Sequence, residues 1–171
     1  VSNFFLKKVA IFVKEKIKDF LPYLIILVVV VLFRTFIATP IKVDGMSMYP
    51  TLEGNEIMIL NKLGKIQRYN IVVVKEEKED LIKRIIGLPN ETIEIVEGNI
   101  YINGKKIEEN YGKGETSDYP KTKLKSDEYF VLGDNRENSK DSRSIGPVKK
   151  KQIKGNTSFI IFPFTRFGNT K

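Results

Sequence analysis

The feature that most constrains this chain is an uncharged apolar run near its N-terminus. Residues Leu21 to Phe33 read LPYLIILVVVVLF, thirteen residues without a charged side chain. With its flanks, the segment 20–39 has twenty residues, about the length that a helix needs to cross ~30 Å of hydrocarbon. A run that is apolar on all sides needs an apolar environment on all sides, which disfavours a core helix. The sequence therefore predicts a transmembrane anchor over residues 20–39.

An alternative for the same run is an export signal that is cut off after translocation. Such signals end in small residues of the Ala-x-Ala type. Residues 36–40 read FIATP and match this pattern poorly, so we expect the anchor to remain attached.

Charged residues around the run predict its orientation. Five lysines within residues 7–18 precede the run, whereas Arg34 and Lys42 follow it. Because positive charge stays on the cytoplasmic side, we expect a single-pass protein of the cell membrane with a cytoplasmic N-terminus and an extracellular domain over residues 40–171. Residues 1–19 mix apolar and Lys positions at roughly helical spacing, which predicts a basic amphipathic segment on the inner membrane surface.

The net charge of +8 does not by itself indicate a nucleic-acid partner. Residues 1–39 carry +4, and the other 132 residues carry the remaining +4. The basic excess is thus concentrated near the N-terminus, whereas a nucleic-acid-binding domain more often shows a basic stripe interleaved with aromatic residues. We expect no nucleic-acid binding.

The composition excludes several catalytic designs. The chain has no Cys, no His and no Trp. This rules out a Ser-His-Asp triad, a cysteine nucleophile and the usual Cys/His zinc site. Any catalysis must use Ser, Thr, Tyr, Lys, a carboxylate or a metal held by carboxylates.

The residues after Pro40 are typical of short strands. Runs rich in Ile, Val, Tyr and Phe alternate with Gly, Asn, Pro and charged residues, and Asn103-Gly104 marks a tight turn. Residues 105–128 are polar and predict an exposed loop. The pattern predicts a mainly β fold, a barrel or coiled sheet, with strands near 56–60, 71–74, 92–96, 99–102, 129–132 and 159–162.

A serine stands in the first segment that can carry chemistry. Residues 45–52 read GMSMYPTL, which places Ser47 in a turn between Gly45 and Pro50. The plain alternative is a β-turn with a surface serine. Methionines on both sides of Ser47 favour an apolar groove, because Met adapts to irregular ligands.

A lysine is embedded in apolar residues in the second segment, residues 81–89, which read LIKRIIGLP. On a strand, Lys83 shares a face with Leu81 and Ile85. Burial on such a face lowers the pKa of an amine, which makes a neutral base available. The alternative is an edge lysine that opposes aggregation. The apolar spacing also fits a helix, so periodicity leaves the element open.

Residues 133–143, which read GDNRENSKDSR, form the third segment. A solvated loop is the plain alternative, and a calcium loop is disfavoured because three basic side chains would oppose the cation. The alternation of acidic and basic residues predicts an ion-pair network that holds a loop beside a site. A catalytic serine without His needs another base, and Lys83 has the most apolar neighbours of the lysines.

Together, the anchor and the three segments resemble type I signal peptidases, in the short Gram-positive form. The resemblance runs from the anchor to Pro163 and implies a membrane-bound serine endopeptidase with a Ser-Lys dyad, which removes signal peptides from exported preproteins. It implies Ser47 as nucleophile and Lys83 as general base. Its implied partners are signal peptides and the lipid bilayer, with no metal and no organic cofactor.

The resemblance also implies supporting and substrate-binding residues. Ser139 matches the residue that orients the base, and Asp141 and Arg143 match a supporting ion pair. The positions that match the lining of shallow pockets for small side chains are Val43, Gly45, Met48, Leu52 and Ile82.

Three positions depart from the family pattern. Gly45 replaces a serine that helps to hold the oxyanion in some relatives, so backbone N–H groups would have to do so. Asn90-Glu91 and Tyr69-Asn70 each replace a Gly-Asp pair at a turn. The alternatives to this function are a self-cleaving Ser-Lys repressor, which the anchor disfavours, and a membrane-tethered β module that only binds.

Overall fold

The computed structural model describes residues 2–77 and 79–170, with side chains described from residue 12 onward. It divides into two compact units, one up to Ala38 and one from Thr39 onward. The first is a helix, and the second contains the strands.

Helix α1 (Ser2–Phe36) is continuous through the apolar run. Its part Phe12–Phe36 has a mean hydropathy of 2.1 and is long and apolar enough to cross a membrane. The helix ends three residues before the predicted end of the anchor at residue 39, and it has no break near Phe20 that would separate residues 1–19. Val1 and the side chains of 2–11 lie outside the described part, so the amphipathic segment stays a prediction.

The described residues after α1 form twelve strands and a short helix, α2 (Ser142–Ile145). The strands are β1 (Ala38–Lys42), β2 (Ile57–Asn61), β3 (Ile71–Glu76), β4 (Glu79–Gly87), β5 (Thr92–Val96), β6 (Asn99–Ile102), β7 (Lys105–Lys106), β8 (Tyr119–Lys123), β9 (Glu128–Leu132), β10 (Val148–Lys149), β11 (Ile153–Phe162) and β12 (Gly168–Asn169). The mainly β fold is as predicted.

The strands form two sheets. The larger has the order β1-β2-β11-β3-β4-β9-β10, with β12 pairing on β11, and the smaller has the order β7-β6-β5-β8. Strand β3 of the larger sheet begins with four consecutive apolar residues, 71–74, and all four are buried. Ile71 packs in one cluster while Val72 and Val74 pack in another, because successive side chains of a strand point to opposite faces. Both faces of β3 are therefore covered.

One edge of β4 is only partly paired. Strand β9 runs beside β4 only from Arg84, which is opposite Leu132, to Gly87. β9 ends at Leu132, where the polar segment 133–143 begins. The edge from Glu79 to Lys83 therefore has no partner strand on this side among the described residues.

The segment 105–128 differs from the predicted loop. It contains β7 and β8, and β8 pairs with β5. The polar sequence YPKTK concealed β8 because this strand lies at the edge of its sheet, with most of its side chains exposed. The apolar signals in the neighbourhood are Leu124, which is buried in the core cluster, and Tyr119, which packs against the same cluster.

Candidate active site

Ser47 lies in the connection between β1 and β2. The Tyr49 N–H donates to the Met46 carbonyl at 3.1 Å, which closes a turn around Ser47. Met48 and Leu52 on the same connection are buried in the core. The buried side chains of Met48 and Leu52 thus attach the turn to the core, while Ser47 itself stays partly exposed.

Gly45 gives this connection a backbone that other residues adopt with strain. Its φ is +79°, in the left-handed region, and a Cβ at this position would meet no atom within 4 Å. Glycine is therefore required here by conformation and not by space. This position is the one at which the sequence departs from relatives with a serine.

Lys83 reaches Ser47 from strand β4. The lysine is only 2% exposed, and its Nζ donates to the Ser47 Oγ at 2.6 Å and to the Ile82 carbonyl at 2.9 Å. Burial lowers the pKa of Lys83 from 10.5 to about 8, against the attraction of nearby carboxylates, of which Asp141 is the strongest. The neutral amine is thus far more populated near neutral pH than it is in a free lysine.

Asp141 organises the segment 133–143. Its carboxylate accepts from Arg143 Nε at 2.9 Å, from Arg143 Nη2 at 2.8 Å and from the Gly133 N–H at 3.0 Å. Burial alone would raise the pKa of Asp141, but these hydrogen bonds outweigh it and lower the pKa. The carboxylate therefore stays charged, and the predicted ion pair between Asp141 and Arg143 is formed.

Ser139 lies beside the dyad but is not hydrogen-bonded to it. Its Oγ is buried and interacts with the Asp141 carboxylate closely enough to lower the pKa of Asp141, although no hydrogen bond of normal geometry holds it among the described residues. The second acceptor for the Lys83 amine is the Ile82 carbonyl. The role of Ser139 in orienting the base stays a prediction.

Gly133 allows the close packing of these groups. A Cβ on Gly133 would lie 2.1 Å from the Ser139 Oγ and 2.5 Å from the Ser47 carbonyl oxygen. Both distances are far inside van der Waals contact, so only glycine fits between the nucleophile turn and Ser139.

A buried ion pair behind the dyad was not predicted. Arg84 donates to both carboxylate oxygens of Asp134, from Nε at 2.8 Å and from Nη2 at 2.5 Å. Its Nη1 donates to the Tyr69 carbonyl at 3.0 Å, and the guanidinium stacks 4.1 Å from the Tyr111 ring centroid. The only sequence signal was an arginine within an apolar run, because nothing local identifies its partner fifty positions away.

Asn135, also missed from the sequence, ties this ion pair to the nucleophile. Its backbone N–H donates to the Ser47 carbonyl at 3.0 Å, and its side-chain amide donates to the Met46 carbonyl at 3.1 Å. Asp134 and Asn135 together therefore connect the strand of the base with the turn of the nucleophile.

A groove of about 200 Å³ lies between the β1 edge and the unpaired edge of β4. Its floor is apolar and its rim is charged. The lining residues are Ile41, Lys42, Asp44, Val73, Asp80 and Ile82.

Of the five residues that the sequence associates with substrate pockets, Ile82 lines this groove and Gly45 is exposed beside Ser47. Val43, Met48 and Leu52 are buried in the core cluster, with no exposed surface at all on Leu52. In this conformation these three side chains support the site from below, because their apolar surface is already used in the core.

Comparisons with known proteins agree with the resemblance. The sequence model of the family described as "Signal peptidase, peptidase S26" matches residues 17–162. A signal peptidase I of Bacillus amyloliquefaciens is 42% identical over 175 residues, covering 92% of this chain and 95% of the relative. Signal peptidase I S of Bacillus subtilis is 39% identical, with the same two coverages.

Among solved structures, a signal peptidase I from Enterococcus faecalis is similar. It is 34% identical, with a TM-score of 0.49, and the match covers 54% of this chain and 97% of that one. The family match and the full-length relatives confirm the resemblance. The chain belongs to the signal peptidase family, peptidase S26.

Proposed function

We propose that this protein is a membrane-anchored serine endopeptidase that removes N-terminal signal peptides from exported preproteins. The observation that carries the proposal is the contact of 2.6 Å between the Lys83 Nζ and the Ser47 Oγ. The lowered pKa of Lys83, about 8, suits a general base at physiological pH. The chain contains no His that could act instead.

The dyad supplies both proton transfers of acyl transfer. Neutral Lys83 takes the Ser47 proton while the Ser47 Oγ attacks the scissile carbonyl carbon. The resulting oxyanion is held by backbone N–H groups, including that of Ser47, since Gly45 offers no hydroxyl. Lys83 then returns the proton to the leaving amine and the acyl-enzyme remains. Lys83 next deprotonates a water that hydrolyses the ester.

The groove between β1 and β4 is the proposed binding site for the signal peptide. An extended peptide would hydrogen-bond to the unpaired edge 79–83 as an added strand. Alternate side chains of the peptide would face the floor of Ile41, Val73 and Ile82. A groove of about 200 Å³ favours small side chains at the first and third positions before the cut.

Specificity in such a groove is steric. One added methylene in an apolar pocket changes the free energy of binding by only ~1–3 kcal/mol. Rejection of Phe at the first position before the cut therefore depends on a lack of room. A preprotein with Phe at that position should be cut far more slowly than its Ala parent, and equal rates would contradict this account of the groove.

Helix α1 is the proposed anchor. Its apolar part ends at Phe36, and β1 begins at Ala38. The cytoplasmic N-terminus and the extracellular catalytic domain over 40–171 follow from the lysines that precede the run. The substrate also lies in the membrane while it is translocated, so an anchored peptidase works where its substrate emerges.

The deciding experiment compares the full chain with Ser47→Ala in nonionic detergent, with a preprotein whose mature N-terminus is sequenced after cleavage. The parent should cut after a small residue, and Ser47→Ala should be inactive. Ser158→Ala, which changes an exposed serine on β11, is the matched control and should cut at the parental rate. Binding of the preprotein without any cleavage by the parent would identify a binding module instead.

A further inference from the structure

Lys113 belongs to the connection between β7 and β8, yet it is tied to the catalytic segment 133–143. The Lys113 N–H donates to the Asp134 carbonyl at 2.7 Å, and its carbonyl accepts from the Arg136 N–H at 2.8 Å. Between these two residues lies Asn135, whose backbone N–H holds the Ser47 carbonyl at 3.0 Å. The backbone of Lys113 is therefore hydrogen-bonded to the residues on either side of Asn135, and Asn135 is itself hydrogen-bonded to the nucleophile turn.

The side chain of Lys113 points at that same turn. Its ammonium lies 4.5 Å from the centroid of the Tyr49 ring, and Tyr49 follows the nucleophile by two residues. Among the described residues no carboxylate is within ion-pair distance of Lys113, and the residue is exposed. A contact with a ring face holds an ammonium in place but neutralises no charge. The lysine thus presents a positive charge without a direct ion pair beside the turn that carries Ser47.

The topology indicates which part of a substrate meets this charge. A peptide added along the unpaired edge of β4 can run beside residues 79–83 but no further, because β9 occupies the same edge from Arg84 onward. The chain beyond the scissile bond must therefore leave the sheet at the dyad. The surface there is formed by the Ser47 turn and Asn135, and Lys113 stands on it.

We propose that Lys113 is a specificity-determining residue for the leaving side of the substrate, and that it binds acidic side chains within the first few residues of the mature protein. The inference rests on the proposed function and extends it to the other side of the cut. The source of the carboxylate is the preprotein itself, since the leaving segment passes over the ammonium during cleavage.

The size of the effect follows from exposure. Exposed ion pairs contribute little, so discrimination of about two- to fivefold, which corresponds to ~0.4–1 kcal/mol, is expected between an acidic and a basic residue. The preference should weaken at high salt, because the charges are screened.

The test uses the full chain in nonionic detergent at low salt and a matched set of preproteins. Each carries Asp, Asn or Lys at one of the second, third or fourth positions after the cut. The parent should show a higher kcat/KM for Asp than for Lys at one or more of these positions. Lys113→Met should remove the preference, Lys113→Glu should reverse it, and Lys113→Arg should keep it.

Two controls separate Lys113 from the general charge of the protein. For every Lys113 variant, the preference is taken as the kcat/KM for Asp divided by that for Asn at the same position, so that an effect on the fold or the dyad cancels. Lys121→Met removes an exposed lysine of β8 and thus the same net charge, and it should leave the preference unchanged. An equal effect of Lys121→Met would attribute the preference to long-range charge and overturn the inference.

The remaining outcomes are also decisive. If Lys113→Glu cuts the Asn substrates normally and keeps the parental preference, the inference fails while the proposed function stands. A preference that arises only after anionic phospholipid is added would assign Lys113 to the membrane surface and overturn its role in substrate binding. A parent that cuts none of the preproteins would refute the proposed function and this inference with it.

Discussion

The burial of Lys83 lowers the stability of the folded chain but favours the neutral amine that the proposed catalysis needs. Burial lowers its pKa to about 8 in the folded chain, whereas an exposed amine in the unfolded chain titrates near 10.5. Between these values the unfolded state binds more protons, so the free energy of unfolding rises with pH across this window. Below pH ~8 the cost of burying the charged amine is fully present. Under the proposed function, the protein retains this destabilising lysine because its neutral form is the base.

The first prediction is the pH dependence of cleavage. Only neutral Lys83 accepts a proton, so kcat/KM should rise with pH through a single ionisation near the pKa of about 8. Lys83→Arg should be inactive at every pH in this range, since a guanidinium keeps its proton. The measurement is a pH profile of the full chain in detergent. Near-parental activity of Lys83→Arg would show that another group is the base.

The second prediction separates the stability and catalytic effects of Ser139. Arg143 and Gly133 hold the Asp141 carboxylate more strongly than Ser139 does, and the buried Ser139 Oγ makes no hydrogen bond of normal geometry among the described residues. A buried hydroxyl in that state costs ~1–3 kcal/mol. Ser139→Ala should therefore leave the free energy of unfolding unchanged or raise it. If Ser139 orients Lys83 during proton transfer, kcat should fall while KM changes little. Denaturant unfolding and steady-state kinetics test the two halves, and an unchanged kcat would make Ser139 a packing residue only.

At the scale of elements, the site is held by contacts between segments that are far apart in sequence. The turn of Ser47, the strand of Lys83 and the segment 133–143 meet at Gly133, at Asn135 and at the Arg84–Asp134 pair. A change in any of these junctions should move the nucleophile relative to the base.

The third prediction concerns Gly133. A methyl group there would lie 2.5 Å from the Ser47 carbonyl oxygen and must displace the turn. Misplacement of a reacting group by ~1 Å can cost about a hundredfold in rate, so Gly133→Ala should lose activity on this scale. Gly54→Ala is the control, because its added Cβ would meet only the Gly45 carbonyl oxygen, at 3.7 Å. Equal kcat/KM for the two variants would show that the packing at Gly133 does not position the dyad.

The fourth prediction concerns the buried pair of Arg84 and Asp134. Arg84→Met leaves the Asp134 carboxylate buried without a counter-charge, which should cost ~3–5 kcal/mol of unfolding free energy. The double variant Arg84→Met with Asp134→Leu should recover much of this loss. An exposed pair, Lys154 with Asp80 at 2.6 Å, is the comparison, and Lys154→Met should cost under ~1 kcal/mol. Equal costs at the two sites, measured by denaturant unfolding, would mean that the Arg84–Asp134 pair is solvated.

At the scale of the whole molecule, the chain combines a helix suited to lipid with a catalytic unit suited to water. The described side chains of α1 from Phe12 to Phe36 are exposed and mostly apolar, and the second unit has its own buried cores. An apolar helix of this length is stable in hydrocarbon, where all its backbone groups bond internally. These properties support the proposed role of α1 as a membrane anchor.

The fifth prediction tests the orientation of the chain. No cysteine is present, so a single introduced cysteine is a clean reporter. In intact cells a membrane-impermeant maleimide should label Lys105→Cys, in the catalytic unit, but not Lys8→Cys. Permeabilised cells should show labelling of both. The reverse pattern in intact cells would invert the proposed topology.

The sequence predicted what depends on local pattern. The apolar run, its preceding lysines and six of the twelve strands in the described residues could be predicted from neighbouring positions in the chain, because side-chain periodicity reports burial directly. The absence of His and Cys left Ser, Thr, Tyr, Lys, carboxylates or a carboxylate-held metal for catalysis, and the apolar neighbours of Lys83 made it the candidate base for a serine. The role of Ser47 as nucleophile came from the family resemblance. Classes of catalytic site can be excluded from composition alone, without tertiary information.

Only the tertiary structure decided what depends on distance across the fold. The segment around Lys83 fits a helix or a strand by spacing alone, and its pairing with β3 made it a strand. β8 was hidden because an edge strand needs little apolar surface. The partner of Arg84, the clearance at Gly133 and the position of Lys113 over Tyr49 depend on which segments pack together. Those contacts join residues tens of positions apart, and no local pattern encodes such a pair.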